Sequence, residues 1–361
     1  MKGISPVKRY ICIHGHFYQP PRENPWLGEV ELQDSAYPYH DWNKKITSEC
    51  YAPNTSSRIL GPDKKIIDIV NNYSKISFNF GPTLLSWMER NEPNIYTAII
   101  QADKISMQNF SGHGSAIAQA YNHMIMPHAT LRDKHTQVIW GIADFEYRFQ
   151  RKPEGMWLPE TAVDNETLEV LAEHGIKFTM LSPHQAQNIR KIGEENWIDV
   201  TNAKINPRVP YLYNLPSGKT INLFFYDGII SSNIAFNDLL NSGKNFSNKL
   251  ISAFPPDEDD KNNQMVNIAT DGESYGHHHR FGDMALAYCI HNIESNNLAK
   301  ISIYGEFLEK NPPKHEVKIF ERTAWSCAHG LKRWEDNCGC SSRSHPGWQQ
   351  EWRAPLKGAM D

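Results

Sequence analysis

The sequence predicts an α/β fold in which parallel strands are joined by crossover helices. Short apolar runs alternate with amphipathic stretches through the middle of the chain, a pattern typical of strand–helix–strand units. Several of the apolar runs also end in a carboxylate or an imidazole. Because catalytic groups of α/β barrels stand at the carboxyl ends of the strands, this pattern favours a barrel with its functional site at that rim.

The predicted elements follow this alternation along the chain. A first strand covers residues 9–14, and a long loop rich in Pro, Tyr and Trp extends to about residue 58. Helices are predicted where apolar residues recur with helical spacing, with Pro82 near the start of one helix and Asp133 as the cap of another. The further predicted strands cover residues 75–80, 155–158, 176–181, 221–226 and 265–269, and the predicted helices cover residues 82–90, 94–106, 116–121, 133–149, 165–174 and 283–293.

The chain of 361 residues is long enough for one large barrel and a small additional unit. We assign residues 1–310 to a catalytic barrel. Residues 311–361 form a segment rich in Trp, Cys and His, which is interpreted as the start of a truncated helical domain. The acidic run at residues 257–260 follows two prolines and is interpreted as a solvated loop.

The composition and net charge indicate which classes of binding partner to expect. A net charge of −4 and an isoelectric point near 6.5 give no electrostatic basis for binding nucleic acid or an anionic membrane. The chain shows no apolar run long enough to span a membrane and no signal peptide, so we expect a cytoplasmic protein with reduced cysteines. The ten Trp and fifteen Tyr favour a sugar ligand, because flat aromatic side chains bury the apolar faces of sugar rings.

Three tracts carry the expected chemistry. Residues 155–160 (GMWLPE) and residues 271–279 (DGESYGHHH) each run from an apolar strand to a carboxylate, and residues 14–20 (HGHFYQP) bring imidazoles and aromatic rings to the same rim. Two carboxylates from different strands are what glycoside hydrolysis needs, one as nucleophile and one as proton donor. Since residues two apart in an extended segment share a face, the pattern leaves open whether Asp271 or Glu273 is the proton donor.

In their order and spacing, these tracts resemble signature motifs of glycoside hydrolase family 57. Residues 111–127 are similar to a further motif of that family, and the resemblance covers about residues 9–310. It implies a distorted (β/α)7 barrel and a retaining double-displacement mechanism on α-linked glucans, with hydrolysis and transfer both open. It also implies that Glu160 is the nucleophile and that Asp271 is the acid/base.

A larger set of residues is expected to contact the oligo- or polysaccharide substrate. Its members are imidazoles, aromatic rings and polar side chains within or next to the motifs, and for Trp334 a place in the core is an equal alternative. The expected substrate-binding residues are His14, His16, Gln19, His113, His123, Trp157, Glu273, His277 and Trp334.

We assign no cofactor and no metal to this site, and two alternatives remain open. His14 and His16 are two residues apart, as ligands are in metal-binding deacetylases, so one alternative is a zinc-dependent polysaccharide deacetylase. The resemblance implies instead that these histidines contact the substrate. The second alternative is a non-catalytic carbohydrate-binding protein, against which the retention of Glu160 and Asp271 argues.

The C-terminal segment contains a further candidate. Cys327, Cys338, Cys340 and His345 form a Cys-x10-Cys-x-Cys-x4-His arrangement that could hold a structural zinc. The Cys-x2-Cys pairs usual for zinc are missing, so reduced cysteines packed under tryptophans are the default prediction. This segment also differs from the best-known amylases of the family, which leaves the substrate open.

Overall fold

The computed structural model describes residues 8–256, 262–340, 345 and 347–360, and the acidic run at residues 257–260 lies outside them. Fourteen strands and twelve α-helices lie in this part of the chain. The strands are β1 (Arg9–Phe17), β2 (Ser57–Leu60), β3 (Ile66–Val70), β4 (Ser77–Phe80), β5 (Ala118–Gln119), β6 (Met156–Trp157), β7 (Phe178–Leu181), β8 (Ala186–Lys191), β9 (Ile198–Asp199), β10 (Tyr211–Asn214), β11 (Thr220–Phe225), β12 (Gln264–Asp271), β13 (Lys300–Ile301) and β14 (His315–Ile319). The helices are α1 (Trp42–Ile46), α2 (Ala52–Thr55), α3 (Pro82–Asn91), α4 (Pro93–Asn109), α5 (Leu131–Phe149), α6 (Asn165–Glu173), α7 (Gly228–Phe236), α8 (Gly243–Ser252), α9 (Gly282–Ser295), α10 (Tyr304–Lys310), α11 (Lys332–Glu335) and α12 (Arg353–Met360).

Seven parallel strands follow one another around a barrel. Strand β1 pairs with β12 on one side and with β4 on the other. The series continues through β5, β6 and β7 by short pairings and by two bridges, Phe78 to Ala116 and Gly155 to Phe178. Strand β7 pairs with β11, and the backbone N–H of Asp227, just after β11, reaches the carbonyl of Asn267 in β12 over 2.8 Å. The α/β barrel class is therefore confirmed, with very short pairings at β5 and β6.

A six-stranded sheet extends from one side of the barrel in the order β7-β11-β10-β14-β8-β9. Strand β10 turns back against β11, and β14 lies between β10 and β8. Strand β14 belongs to the segment that the sequence analysis places after residue 310. Its two pairings attach the beginning of that segment to the sheet.

The two central strands are buried along nearly their whole length because parallel strands of a barrel are covered on both faces. Strand β1 is buried from Tyr10 to Phe17, and β12 from Gln264 to Thr270. Asp271, the last residue of β12, is exposed. The apolar runs thus end where the polar site begins. No helix within the described ranges is both long enough and apolar enough to pass through a bilayer.

Three local predictions are corrected. Residues 116–121 are not helical, because they pass through the barrel as β5 between β4 and β6. The cap of α5 is Thr130, whose Oγ1 accepts a hydrogen bond from the N–H of Asp133 over 3.3 Å, so the predicted cap lies inside the first turn. The long loop before residue 58 contains α1, a π-helical turn at Thr47–Tyr51 and α2, and β2 pairs with the unpredicted β3.

Candidate active site

Glu160 lies in a tight turn, Pro159–Thr161, directly after β6. Its backbone has φ 58° and ψ 16°, the left-handed region that side-chain-bearing residues seldom adopt. Such strained positions gather at functional sites. The Nε1–H of Trp325 donates to Oε2 of Glu160 over 2.9 Å, and the hydroxyl of Ser326 donates to the same oxygen. The carboxylate is therefore held by the segment that follows β14.

Asp271 ends β12 beside His16, its register partner in β1. The residue is exposed as a whole, but partial burial of its carboxyl group is the main reason why its pKa is raised from 3.8 to about 6. The negative charge of Glu160 is the second cause. Burial is the main reason why the pKa of Tyr226 is raised, and the charges of Asp271 and Glu160 add to the rise. Glu160 and Asp271 therefore act on one another electrostatically, with Tyr226 near both.

Glu273 lies in the turn that follows β12 and is buried. The hydroxyl of Tyr51 donates to its Oε1 over 2.5 Å, and the backbone N–H of Tyr18 donates to the same atom over 3.1 Å. Burial raises the pKa of Glu273 to about 8, and the charge of Asp271 adds to the rise against the opposing hydrogen bond from Tyr51. The carboxyl group is therefore mainly protonated at neutral pH, and the hydrogen bonds from Tyr51 and Tyr18 hold it in place.

A hydrogen-bonded series fixes the two rim histidines through Asn79. The Nδ2 of Asn79 donates to Nδ1 of His16 over 2.9 Å, so the proton of His16 lies on Nε2, 2.9 Å from Nε2 of His123. His14 is hydrogen-bonded through Nε2 to the Oδ1 of Asn79 over 3.1 Å and through Nδ1 to Ser77 Oγ over 2.9 Å. Burial lowers the pKa of His14 to about 3 and that of His123 to about 4, so both rings are neutral.

Trp157 packs against the rings of His14 and His16. Its ring stacks on those of His14 and His16 with centroid separations of 5.0 Å each, and it meets Trp325 edge-on at 5.2 Å. The side chain is 0% exposed. It therefore offers no free face to a sugar ring, and the predicted direct contact with substrate is corrected to a supporting position. The ring of Tyr18, which is partly exposed, stacks on that of His123 at 3.7 Å.

Two further predicted residues lie on loops that follow β1 and β12. Gln19 accepts a hydrogen bond from Arg22 over 2.8 Å through its Oε1. The Nδ1 of His277 is 2.5 Å from the carboxylate of Glu49, and its ring meets Trp42 edge-on. Their contact with substrate stays a prediction.

The structure does not bring His113 to this rim. The residue precedes β5, so it lies at the amino end of the strand, where its ring contacts Glu154 at 2.7 Å and Glu309 at 3.2 Å. Trp334 is half-buried and packs in a small cluster with Ala162, Ala324 and Leu331. The core interpretation therefore describes Trp334 better than a sugar platform.

Trp325, Ser326 and Tyr226 were not predicted as site residues. Tyr226 directly follows β11 and is thus at the carboxyl end of a barrel strand, a position that could have indicated it. Trp325 and Ser326 come from beyond the barrel. Their approach to Glu160 depends on how that segment folds back, which no local pattern indicates.

The cysteines of the C-terminal segment converge as the sequence suggested, but with a different histidine. Among the described residues, one group has ligand atoms placed for a metal, formed by Cys327, His329, Cys338 and Cys340. We call these four residues the Cys–His cluster. His345 is outside it and stacks on Trp348 with a centroid separation of 4.3 Å. His345, the histidine of the candidate arrangement in the sequence, therefore lies outside the cluster, and His329 lies beside the three cysteines.

Comparisons with known proteins agree with this architecture. A sequence model described as glycosyl hydrolase family 57 matches residues 11–320. A search of curated proteins found no match. Among solved structures, the chain resembles the 4-alpha-glucanotransferase of Thermococcus litoralis at a TM-score of 0.65 and 17% identity, covering 93% of this chain and 45% of that one. It resembles the exo-type maltose-forming amylase of Pyrococcus sp. ST04 at 0.69 and 17%, covering 97% and 60%. It also resembles the GH57-type branching enzyme of Pyrococcus horikoshii at 0.62 and 15%, covering 90% and 74%. The chain thus spans about half the length of the first of these proteins.

Proposed function

The chain belongs to glycosyl hydrolase family 57, and from this membership we propose that it acts on α-linked glucans as a retaining hydrolase or transglycosylase. The similar solved structures include a glucanotransferase, an amylase and a branching enzyme. The observation that carries the proposal is the contrast between the surroundings of Glu160 and Asp271. Two carboxyl groups in contrasting environments are suited to different roles.

Glu160 is suited to be the nucleophile. It accepts hydrogen bonds from Trp325 and Ser326 at Oε2. The same bonds fix its direction before the substrate arrives. The ionised carboxylate attacks the anomeric carbon and forms a covalent glycosyl-enzyme.

Asp271 is suited to be the acid/base. With a pKa of about 6, its carboxyl group holds a proton over a large part of the weakly acidic range. It gives that proton to the leaving glycosidic oxygen as Glu160 attacks. Loss of the Glu160 charge in the covalent intermediate then favours the ionised form of Asp271, which accepts a proton from the incoming water or sugar hydroxyl.

A zinc-dependent deacetylase using His14 and His16 is less well supported. Both ring nitrogens of each histidine are hydrogen-bonded to protein side chains, so a metal ligand would have to displace Ser77, Asn79 or His123. A non-catalytic carbohydrate-binding protein would not need the contrast between the two carboxyl groups.

Incubation with a panel of α-glucans and aryl α-glycosides tests the proposal, with the products separated by chromatography. We expect shortened or transferred glucans from the unmodified chain, and loss of product from Glu160→Gln and Asp271→Asn. The exposed carboxylate Glu173 provides a matched control, since Glu173→Gln should keep full turnover. Sugar binding without product from any substrate would support the binding protein instead, and release of acetate from acetylated glycans would support the deacetylase.

A further inference from the structure

The Cys–His cluster draws two short pairs of ligand residues together. Cys327 and His329 form one pair, and Cys338 and Cys340 form the other, joined by a loop that contains α11. Gly339, between the second pair, has φ 74°, which a side-chain-bearing residue seldom adopts. This left-handed turn reverses the backbone between the two cysteines and allows both thiols to approach the first pair.

The separations of the ligand atoms match tetrahedral coordination. The Sγ atoms of Cys327 and Cys340 are 3.7 Å apart, the Nδ1 of His329 is 3.3 Å from Sγ of Cys340, and all four ligand atoms lie within 4.8 Å of one another. A zinc ion with Zn–S bonds of about 2.3 Å holds two sulfurs about 3.8 Å apart, and an imidazole nitrogen about 3.5 Å from a sulfur. We propose that the Cys–His cluster binds one zinc ion.

The chemistry of the cluster agrees with a cation. Three cysteine sulfurs and one imidazole nitrogen are ligand types that zinc prefers in proteins. A divalent cation binds cysteines as thiolates and releases their protons. Three thiolates and a neutral imidazole complete four-coordination and leave no position for water, as in structural zinc sites.

The position of the cluster gives the zinc a structural role at the active site. Cys327 directly follows Trp325 and Ser326, the two donors to Glu160. Arg333, in the loop between the two ligand pairs, donates from Nη1 to the carbonyl of Ser326 over 3.3 Å. A zinc ion that closes this loop therefore holds the Ser326 donor and its neighbour in place. This positioning role rests on the proposed function, whereas zinc binding does not.

Metal analysis of the full chain tests the binding. The protein is prepared without a polyhistidine tag and under reducing conditions, dialysed after addition of ZnCl₂, and analysed for zinc by mass spectrometry. We expect one zinc per chain, and replacement by Co²⁺ should give the strong visible absorption of a tetrahedral thiolate site. A chain that holds no zinc after this treatment overturns the proposal. An intact mass lighter by two hydrogens in a chain purified with zinc present and kept under reductant would also overturn it, since the cysteines would then be joined in a disulfide.

Two variants and a control identify the ligands. His329→Ala removes an exposed ligand, so it should leave the circular dichroism of the chain unchanged while zinc falls below about one-tenth per chain. Cys338→Ser should do the same. His345→Ala, in the same segment but outside the cluster, should keep one zinc. Retention of the full zinc content by His329→Ala and Cys338→Ser would reject the assignment.

The positioning role has its own readout. On a glucan that the unmodified chain converts, His329→Ala should lower kcat at least about tenfold and change KM little, because Glu160 loses its fixed direction but the sugar-binding surface does not change. Unchanged kcat in a zinc-free variant would reject positioning and leave zinc binding in place. If the unmodified chain converts no glucan, the proposed function fails while the metal analysis still decides the zinc site.

Discussion

The indole N–H of Trp325 donates to Oε2 of Glu160 over 2.9 Å, across 165 positions of the chain. The backbone N–H of Trp325 also donates to the carbonyl of Glu160 over 2.9 Å, so both the side chain and the main chain of Glu160 are held by Trp325. These bonds join a strained turn at the end of β6 to the segment beyond β14. The proposed nucleophile therefore depends on a part of the chain that lies outside the barrel strands.

Trp325→Phe should separate this hydrogen bond from the packing of the ring. The phenyl ring can still pack against Trp157, but Glu160 loses one donor. Because a hydrogen bond to a charged group contributes about 1.5–3 kcal/mol, kcat should fall roughly 10- to 100-fold with little change in KM. The loss should also appear with aryl glycosides whose leaving groups need no proton, since attack is slowed. The exposed Trp348→Phe is the control, and equal kinetics for both variants would contradict the role of Trp325.

The rate should fall as the pH rises through about 6. Asp271 must be protonated in the first step, and its pKa of about 6 lies above the ordinary 3.8, so the acid remains available to higher pH than for an unperturbed aspartate. The measurement is kcat/KM between pH 4 and 9. With an activated aryl glycoside, whose leaving group needs no proton, the rate of the glycosylation step should fall less as the pH rises. A flat profile to pH 8 on a glucan would show that Asp271 is not the acid.

Stability should also change with pH through Glu273. Its pKa of about 8 in the folded chain exceeds the ordinary 4.5, so the folded state binds more protons than the unfolded state between these values. The free energy of unfolding therefore falls as the pH rises from about 4.5 to about 8. Glu273→Gln removes this titration, and its Tm relative to the unmodified chain should rise across the same window.

The control for this measurement is Glu173→Gln, an exposed carboxylate whose substitution should leave the pH dependence of Tm unchanged. A constant Tm difference between Glu273→Gln and the unmodified chain from pH 5 to pH 8 would mean that Glu273 does not titrate in this window.

The separation of the two carboxyl groups predicts the stereochemical course. In a crystal structure with a bound, unreacted substrate analogue, the carboxyl groups of Glu160 and Asp271 should be about 5–5.5 Å apart, as in retaining enzymes. A separation of about 6.5–9.5 Å would leave room for a water molecule and would exclude the covalent mechanism.

The barrel strands could be predicted from the sequence where their apolar runs were long. Strands β1, β4, β7, β11 and β12 were found because a buried parallel strand reads as an apolar run, and the short β6 was found within residues 155–158. Strand β5 was mistaken for a helix because only Ala118 and Gln119 have strand pairing, too few for a period to appear. The hairpin of β2 and β3 was missed because its residues are largely exposed.

The candidate site was predictable where its residues end strands and not where the chain returns from elsewhere. Asp271 lies at the rim, as expected, because it directly follows a buried run. The donors to Glu160 were missed, since a contact across 165 positions leaves no local pattern. Trp157 was expected to contact the substrate because it lies within a motif, and a motif does not show that the ring is buried.

Azide should separate the roles of the two carboxylates. Glu160→Ala removes the nucleophile but leaves Asp271, so turnover of a glucan should be abolished while the fold remains. A small anion can enter the vacated space and attack an activated aryl α-glycoside directly. The expected product is a glycosyl azide of inverted configuration, identified by nuclear magnetic resonance of the anomeric proton.

Asp271→Ala should give the opposite stereochemical result. Glu160 still forms the glycosyl-enzyme with a leaving group that needs no proton, and azide then attacks this intermediate without base assistance. Two inversions give a glycosyl azide of retained configuration. Because the two variants differ only in which carboxylate is missing, each is the control for the other. Retained configuration from Glu160→Ala would mean that Asp271 is the nucleophile and Glu160 the acid/base. Near-native turnover of a glucan by both variants would mean that neither carboxylate is catalytic.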